Sequence, residues 1–461
     1  MRWTKLPILL AVNIKFLMKK KLILLFLVAF AIRSVFCLSY NISELYPDVI
    51  GYHMYAFNLI DNGHYSPLHS PTEDTFFREP AGPYILKTAY QIASFFDVDI
   101  SPICNYSMTE YAVLEYHPEF YWGRLMFSLI DSVSICFFFL TLLYFTTQKK
   151  AMIVTTIYLL FFPCFFFLQT LLRDSFQVSL LLILNYFFVR YLFKGSRYAL
   201  LIVGLLLGIA ILTLKALAVI GLGIIVFIFC AHRKSFKRFF VDAVLVTVVS
   251  CLTITPWMIK VYNSYPSIDV FKELGTSLTF DLGEYCTAIR VLRFSGEVSV
   301  DDSEKMLVDI WAMDSKKQFA FSFDNTFKQR ADSVYALMGD KKEYYLMRYN
   351  FSSYCRAAEN LIYPNSIWGI LPTSVVFKIN TFVSPLFILL GILGLLGFFA
   401  YFKAYWKGVM VYTSLMVTLV FLPSFGDEGR RLLLFYSAWI PFSLLLVSKM
   451  IFYLRKKWWG I

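Results

Sequence analysis

Acidic residues are missing from six stretches of this sequence, each of which carries Lys and Arg at the end of a long apolar run. The basic positions are Lys19, Lys20 and Lys21; Lys149 and Lys150; Arg190, Lys194 and Arg197; Arg233, Lys234, Lys237 and Arg238; Lys403 and Lys407; and Arg455, Lys456 and Lys457. Cytoplasmic loops beside membrane helices are enriched in Lys and Arg, so all six basic ends are predicted to face the cytoplasm. The acidic residues collect in two long segments, 40–118 and 259–380, which we therefore expect to face outward.

The composition excludes an ordinary soluble domain. Mean hydropathy is +0.62 and 58% of the residues are hydrophobic, whereas soluble domains contain about 45–50% apolar residues. A formal net charge of +12 would suit a nucleic-acid partner, but the cations form one short cluster per helix end, which is typical of membrane orientation and headgroup contact. We therefore predict the lipid bilayer as a partner, and no nucleic acid.

Two further absences narrow the prediction. No small-residue cleavage site follows the first apolar run, 22–38, so we expect a retained first span and no removed signal peptide. The eight cysteines show no metal-type pair spacing, and the lone Asp97-Val98-Asp99 string is only a weak indication of a metal. No cofactor is predicted, and a divalent metal is left open without being indicated.

Cys286 and Cys355 both lie in the second acidic segment, where an oxidising compartment would favour a disulfide between them.

Ten apolar runs approach the length of a membrane-spanning helix, which needs roughly 20 residues. They lie near 21–39, 119–146, 151–169, 173–192, 198–213, 216–231, 239–257, 381–401, 408–423 and 432–452. We predict an all-α polytopic membrane protein with about ten transmembrane helices and both termini in the cytoplasm. Its expected parts are an N-terminal transmembrane catalytic module over 1–258 with the outward loop 40–118, an outward loop region over 259–380, and C-terminal transmembrane helices over 381–461.

The first outward loop is predicted to contain amphipathic helices. Pro47 and Asn62 are typical of the start and the end of a helix. At helical spacing Asp48, Tyr52 and Tyr55 share one face, and the opposite face is apolar, with Ile50, Met54, Phe57 and Ile60. Such a helix is expected to lie along the membrane surface. A second helix is predicted over 83–96, and the second outward loop is predicted to be mainly helical, over 303–313 and 341–361.

Small and charged residues inside the runs predict contacts between helices. Four glycines are spaced to allow close helix packing, Gly204, Gly208, Gly221 and Gly223. A charge inside a span is functional by default, but Arg124 and Asp131, seven residues apart in the second run, are interpreted here as a structural pair.

Three strings in the first outward loop resemble a known family. They are Tyr46-Pro47-Asp48-Val49-Ile50-Gly51-Tyr52-His53-Met54-Tyr55-Ala56, then Gly63-His64-Tyr65, then Phe77-Arg78-Glu79-Pro80. Together they resemble the first external loop of the GT-C glycosyltransferases, in particular the branch of the protein O-mannosyltransferases and aminoarabinose transferases.

Weaker similarities to the same family follow in the expected order along the chain. They are Leu172-Arg173-Asp174, the glycine-containing run 204–215, Thr255-Pro256-Trp257 with Lys260, and Gly426-Asp427-Glu428-Gly429-Arg430-Arg431. The sequence departs from the family where Arg431 replaces the usual Tyr and where Glu79 separates Arg78 from Pro80. The Trp-Trp-Asp motif of oligosaccharyltransferases does not occur.

The resemblance implies an inverting transfer of a sugar from a polyprenyl phosphate to a lipid, glycan or protein acceptor. A carboxylate must accept the proton of the acceptor hydroxyl, and Asp48 is the predicted base, with Asp174 as the second catalytic candidate. Cations must stabilise the leaving phosphate, and the candidates are Arg78, Lys260, Arg430 and Arg431. Tyr52, Tyr55 and Glu79 are the predicted substrate-binding residues. The expected location is a bacterial inner membrane, with the site facing the periplasm or exterior.

Alternatives remain open on the sequence alone. Asp48 also suits a helix cap, Asp174 suits the dipole at a helix start, and Lys260 beside Trp257 suits an interface anchor. For the whole chain, an O-antigen-type polymerase or ligase would also have many spans and a large outward loop with Arg. A flippase or transporter for lipid-linked saccharides would need charges along a route through the spans, and ionisable residues are expected to be scarce at the span centres here.

Overall fold

A computed structural model of the chain describes residues 8–39, 47–66, 74, 76, 78–100, 119–160, 173–214, 217–264, 278–311 and 326–359, with isolated positions between 389 and 450. Across these residues the regular elements are helices, without a strand. The all-α prediction is therefore confirmed for the described part of the chain.

Among the described residues, nine helices fall before residue 265 and four after residue 277. The first nine are α1 (Ile8–Ser39), α2 (Pro47–Asp61), α3 (Ala81–Phe95), α4 (Glu119–Leu142), α5 (Gln148–Leu159), α6 (Arg173–Lys194), α7 (Arg197–Thr213), α8 (Ala218–Ala231) and α9 (Phe236–Ser264). The later four are α10 (Leu278–Ser295), α11 (Val300–Trp311), α12 (Thr326–Ala336) and α13 (Lys342–Glu359), with a 3₁₀ turn at Gly339–Lys341.

The chain is an integral membrane protein. Four of its described helices are long and apolar enough to cross a bilayer, over Lys19–Leu38, Phe120–Leu142, Ser175–Lys194 and Phe236–Ser264. α7 and α8 are apolar but shorter. The first seven predicted spans overlap α1, α4, α5, α6, α7, α8 and α9, whereas the last three lie mostly outside the described residues. The total of ten therefore stays a prediction.

The helices pack in a chain of neighbours that gives the bundle two distinct ends. α1 packs on α4, α4 on α6, α6 on α7, and α7 on α9, with α3 against α2 and α4. The loop end holds α2, α3, the starts of α4 and α6, and the end of α9, because Lys260 reaches Asp74 and Arg173 reaches Glu79. The opposite, basic end holds the other termini of α6 and α9. The first acidic segment and the chain beyond residue 259 thus leave from the same end, as the charge pattern predicts.

At the basic end several helices contact one buried acid, Asp242 of α9, which is 1% exposed. Its Oδ2 accepts a hydrogen bond from the Tyr191 hydroxyl at 2.6 Å and lies 3.3 Å from Nε2 of His232. Its Oδ1 lies 3.5 Å from Nε of Arg197. Since these partners come from α6, α7 and the residue after α8, a single carboxylate joins four helices.

A second buried acid lies at the centre of α4, although few ionisable residues are expected at span centres. Asp131 accepts a hydrogen bond from Arg33 of α1 at 2.8 Å and one from Ser179 of α6 at 3.3 Å. Arg33 also donates to the carbonyl of Leu159, at the end of α5, at 2.9 Å. The partner that the structure shows for Asp131 is therefore Arg33, and the predicted assignment to Arg124 is corrected. Arg33 is better suited because its side chain comes from another helix and reaches both groups.

Glycine allows the close approach of α7 and α9, as the sequence predicts. A Cβ on Gly208 would lie 2.5 Å from Cβ of Thr253 and 2.9 Å from the carbonyl of Ser250, and one on Gly204 would lie 2.8 Å from Cβ of Val249. The Ser250 hydroxyl donates to the carbonyl of Gly204 at 2.9 Å. We call this contact between α7 and α9 the glycine seam.

The prediction that α2 is an amphipathic surface helix is wrong. Residues 51–59 are buried without interruption, because α3, Phe120 of α4 and the aromatic residues after α2 cover both faces. The predicted polar face consists of Asp48, Tyr52 and Tyr55, and the rings of the two tyrosines are largely apolar and pack as core. α3 is the amphipathic helix instead: it buries Leu86 and Tyr90, while Phe95 is 82% exposed.

The later helices α10–α13 have a hydrophobic core of their own. Ile289 and Leu292 of α10 pack with Phe327 and Ala331 of α12, which confirms the expected helical character of this segment where it is described. Cys286 is a buried free thiol in this core, so the predicted disulfide with Cys355 is not formed. Burial raises the pKa of Cys286 to about 11, which keeps the thiol protonated and unreactive.

The glycine seam predicts a stability change. Gly208→Ala should destabilise the protein by about 1–3 kcal/mol because the added methyl group forces α7 away from α9. Thermal unfolding in detergent measures this. Gly283→Ala is the matched control: Gly283 is also helical, an added Cβ there meets nothing within 4 Å, and the better helix former should be neutral or stabilising. Equal melting temperatures for the two variants would contradict the seam.

Candidate functional site

An aromatic cluster at the loop end joins the first outward loop to the end of α9. Tyr65, which follows α2, is fully buried and stacks on Tyr55 with ring centroids 4.2 Å apart. Trp257 of α9 meets the Tyr65 ring edge-on at 4.8 Å, and Phe76 packs on Trp257 at 5.1 Å. Gly63 has a φ of +74°, which lets the chain turn directly after α2 and bring Tyr65 back under this helix. We call these residues the aromatic cluster.

The hydroxyl of Tyr65 fixes the backbone that carries two predicted site residues. It donates to the carbonyls of Arg78 at 2.9 Å and Glu79 at 3.1 Å. Burial, followed by the neighbouring Tyr55 and Tyr52, raises the pKa of Tyr65 well above its ordinary value. The hydroxyl is therefore a permanent donor, and the Arg78–Glu79 backbone is held to the aromatic cluster at any working pH.

Lys260, a predicted phosphate-binding residue, lies at this cluster. Its ammonium group is 3.2 Å from Oδ2 of Asp74 and 5.9 Å from the centroid of the Tyr65 ring. The other Asp74 oxygen, Oδ1, accepts a hydrogen bond from the backbone amide of Tyr65 at 2.5 Å and lies 3.7 Å from Nδ1 of His64. The Lys260 side chain is 31% exposed, so the cation is accessible from solvent while it is paired.

Glu79, a predicted substrate-binding residue, forms the second ion pair of the site. Its Oε2 accepts a hydrogen bond at 2.6 Å from Nη1 of Arg173, the first residue of α6. The Glu79 side chain is only 4% exposed. This pair connects the segment before α3 to a helix that begins 94 residues further along the chain.

Arg78 and Tyr52 lie together beneath the start of α3. The Arg78 guanidinium carbon is 5.9 Å from the centroid of the Tyr52 ring, and both residues are buried. Gly82 lies against the same ring, where a Cβ would be 3.7 Å from it. Tyr52 therefore supports Arg78, and Tyr55 supports Tyr65, so both predicted substrate-binding tyrosines are packed parts of the site wall.

The remaining predicted residues are placed less fully. The backbone of Asp48 lies in the first turn of α2, and the backbone of Asp174 lies in the first turn of α6, directly after Arg173. Arg430 and Arg431 lie outside the described residues. The structure thus brings Arg78, Glu79, Lys260, Tyr52 and Tyr55 to one end of the bundle.

Sequence reasoning assigned no role to Asp74, Arg173 or His53. Asp74 lies in no motif. Arg173 lies in the string Leu172-Arg173-Asp174, in which Asp174 is the predicted catalytic residue, and His53 lies in the first string of the resemblance. It contacts the Tyr90 hydroxyl and meets the Phe120 ring edge-on, and burial, then Arg124, lowers its pKa to about 3. His53 is therefore a neutral packing residue at physiological pH.

No protein-family model and no curated protein matches this chain. Among solved structures, it is similar to the archaeal oligosaccharyltransferase AglB from Archaeoglobus fulgidus in complex with an inhibitory peptide and a dolichol-phosphate, with a TM-score of 0.50 and 13% identity over 94% of this chain and 51% of AglB. The chain thus spans about half the length of AglB.

ArnT from Cupriavidus metallidurans also matches, in two structures. The one bound to undecaprenyl phosphate has a TM-score of 0.42 and 13% identity, covering 94% of this chain and 80% of ArnT. The apo structure has a TM-score of 0.41 and 14% identity, covering 92% and 78%. The similarity to AglB shows that this chain shares its fold, as the resemblance to the GT-C glycosyltransferases implies. The branch within that group stays a prediction.

The Tyr65 hydroxyl predicts a local stability effect. Tyr65→Phe keeps the ring stack but leaves the carbonyls of Arg78 and Glu79 without this donor, which should destabilise the loop by about 1–3 kcal/mol. Hydrogen–deuterium exchange of residues 62–80 should be correspondingly faster. Tyr84→Phe, in a half-exposed tyrosine near the same ring, is the control and should change stability by less than about 0.5 kcal/mol. Identical exchange in both variants would refute the role of the hydroxyl.

Proposed function

We propose that this chain is a membrane glycosyltransferase that transfers a sugar from a polyprenyl phosphate to a lipid, glycan or protein acceptor. The observation that supports it most is that distant segments of the chain meet in space. Segments of the resemblance that are far apart in the sequence meet at the loop end, where Glu79 pairs with Arg173 and Lys260 lies against Tyr65. A shared fold does not decide function, so this meeting of segments carries the proposal.

The proposed reaction is a single displacement with inversion. The acceptor hydroxyl oxygen forms a bond to the anomeric carbon while the bond from that carbon to the phosphate oxygen breaks, and the electron pair stays on the leaving phosphate. The hydroxyl proton passes to Asp48 as general base. Asp174, in the first turn of α6, is the second carboxylate candidate. The proposal assigns no cofactor to this step.

Cations at the loop end would stabilise the leaving phosphate. Lys260 is accessible from solvent, and the Tyr65 ring beside it holds the backbone of Arg78 through the bond from its hydroxyl to the Arg78 carbonyl. Arg430 and Arg431 are proposed to complete this set. The lipid chain of the donor would remain in the bilayer while its phosphate lies at the membrane interface, the depth at which the span Phe236–Ser264 ends.

Glu79 is proposed to bind the transferred sugar or the acceptor. Its carboxylate is fixed on one oxygen by Arg173, and the other oxygen is buried and still has the capacity to accept a hydrogen bond from a hydroxyl. Tyr52 and Tyr55 are proposed to act as the wall behind these groups, since both are buried against site residues.

The site is proposed to face the outside of the cell, in a bacterial inner membrane. This orientation rests on the basic clusters at the other end of the bundle, because cytoplasmic loops favour Lys and Arg. The flippase alternative has less support. Two of the charges inside the described part of the bundle, Arg33 and Asp131, pair with each other and with neighbouring polar groups, which suits a structural connection more than a route for substrate.

Binding of undecaprenyl phosphate to the protein in nanodiscs tests the donor site. Lys260→Ala should weaken binding roughly tenfold to a hundredfold, since a charge-assisted hydrogen bond is lost. Asp74→Asn should tighten it roughly two- to fivefold, because the amide still accepts from Tyr65 but no longer competes with the phosphate for Lys260.

Lys237→Ala is the matched control for this experiment. Lys237 is an exposed cation at the basic end and should leave affinity unchanged. If wild-type protein does not bind the lipid, or if Lys237→Ala weakens binding as much as Lys260→Ala, the proposed donor site is rejected.

Removal of the proposed base tests the chemical step. Asp48→Asn keeps the size of the side chain but cannot accept the proton, so transfer should fall by about two orders of magnitude while binding of undecaprenyl phosphate persists. Transfer is measured by mass spectrometry of surface glycans and lipids from cells that express each variant. Normal transfer by a folded Asp48→Asn protein would shift the role of base to Asp174.

A further inference from the structure

The two oxygens of Glu79 are in different situations. Oε2 is held by Arg173 at 2.6 Å, whereas Oε1 is enclosed and has no hydrogen-bond partner among the described residues. A buried carboxylate oxygen without a donor carries the full desolvation penalty of that atom, and such oxygens are rare in folded proteins. Oε1 therefore has unused capacity to accept a hydrogen bond.

Both members of the ion pair stand on rigid supports. The Glu79 carbonyl is fixed by the Tyr65 hydroxyl at 3.1 Å, and Pro80 then caps α3. Arg173 is the first residue of α6, which packs along α4 and α7. Functional side chains are held to within a fraction of an ångström only when their partners are fixed in this way. The contact between Arg173 and Glu79 thus sets where Oε1 lies.

We propose that Arg173 is a positioning residue for the saccharide. It binds Oε2 of Glu79, compensates the charge of the buried carboxylate, and leaves Oε1 to accept a hydrogen bond from a hydroxyl of the lipid-linked sugar. This inference rests on the proposed function, because it takes Glu79 to lie beside the transferred sugar. Arg173 acts through Glu79 and does not itself contact the phosphate, which distinguishes its role from that of Lys260.

Binding to two kinds of lipid separates this role from a structural one. The probes are undecaprenyl phosphate without a sugar and a panel of undecaprenyl-phosphate monosaccharides, each measured in nanodiscs. Wild-type protein should bind one saccharide form more tightly than the bare lipid. Arg173→Gln should weaken that form roughly tenfold to a hundredfold, the range for a hydrogen bond to a charged group, and leave the bare lipid unchanged.

Two further variants keep the test decisive. Glu79→Gln preserves the size of the side chain and should lose the same preference for the saccharide. Arg173→Lys keeps a cation that can reach one oxygen, so it should regain part of the preference, which a loss of folding would not allow. Arg293→Gln is the control, because Arg293 pairs with Glu304 at 3.3 Å in an exposed ion pair of the same kind, and it should behave as wild type.

The outcomes are distinguishable. Equal weakening of both lipids by Arg173→Gln would make Arg173 a phosphate contact, and no weakening of either would make the pair purely structural; each overturns the inference. An absence of any preference for a saccharide form in wild-type protein also overturns it, while the proposed donor site would stand. Failure of wild-type protein to bind the bare lipid would instead reject the proposed function.

Discussion

The pairing of buried carboxylates with cations from distant segments is the constraint on which this fold depends. An isolated charge in an apolar interior costs several kcal/mol, so each one must find a partner. Asp131 finds Arg33, Asp242 finds Arg197, and Glu79 finds Arg173. Since lipid supplies little hydrophobic driving force between helices, these pairs, together with the glycine seam, decide which helices become neighbours.

The two ends of the bundle use the same interaction to different effect. At the basic end Oδ2 of Asp242 accepts a hydrogen bond from Tyr191, and Oδ1 lies 3.5 Å from Nε of Arg197 in an ion pair without a hydrogen bond, so this carboxylate connects surrounding helices. At the loop end Glu79 is engaged on one oxygen, and Lys260 is paired while still accessible. An incompletely satisfied network costs stability, and such a cost is common where a protein must bind something else.

Much of the fold could be predicted from the sequence, because apolar run length and basic flanks are local properties. α2 was delimited to within a residue by Pro47 and Asn62. The partners of buried charges could not be predicted, since they depend on which helices meet: Arg33 is 98 residues from Asp131. The burial of α2 was missed for the same reason, because its tyrosines have polar hydroxyls yet pack as core. Lys260 and Arg78 were found through motifs, whereas Asp74 lies in none.

The length of α9 sets the distance between the contacts at the two ends of the bundle. It carries Asp242 at the basic end and Lys260 at the loop end, eighteen residues apart on one helix, which corresponds to about 27 Å. That length is close to the roughly 30 Å of a hydrocarbon core. Because both residues are tied to other elements, the depth of the Lys260 ammonium group is fixed by the helix. For the proposed lipid donor, the height of its phosphate relative to this ammonium group would therefore depend on the thickness of the bilayer.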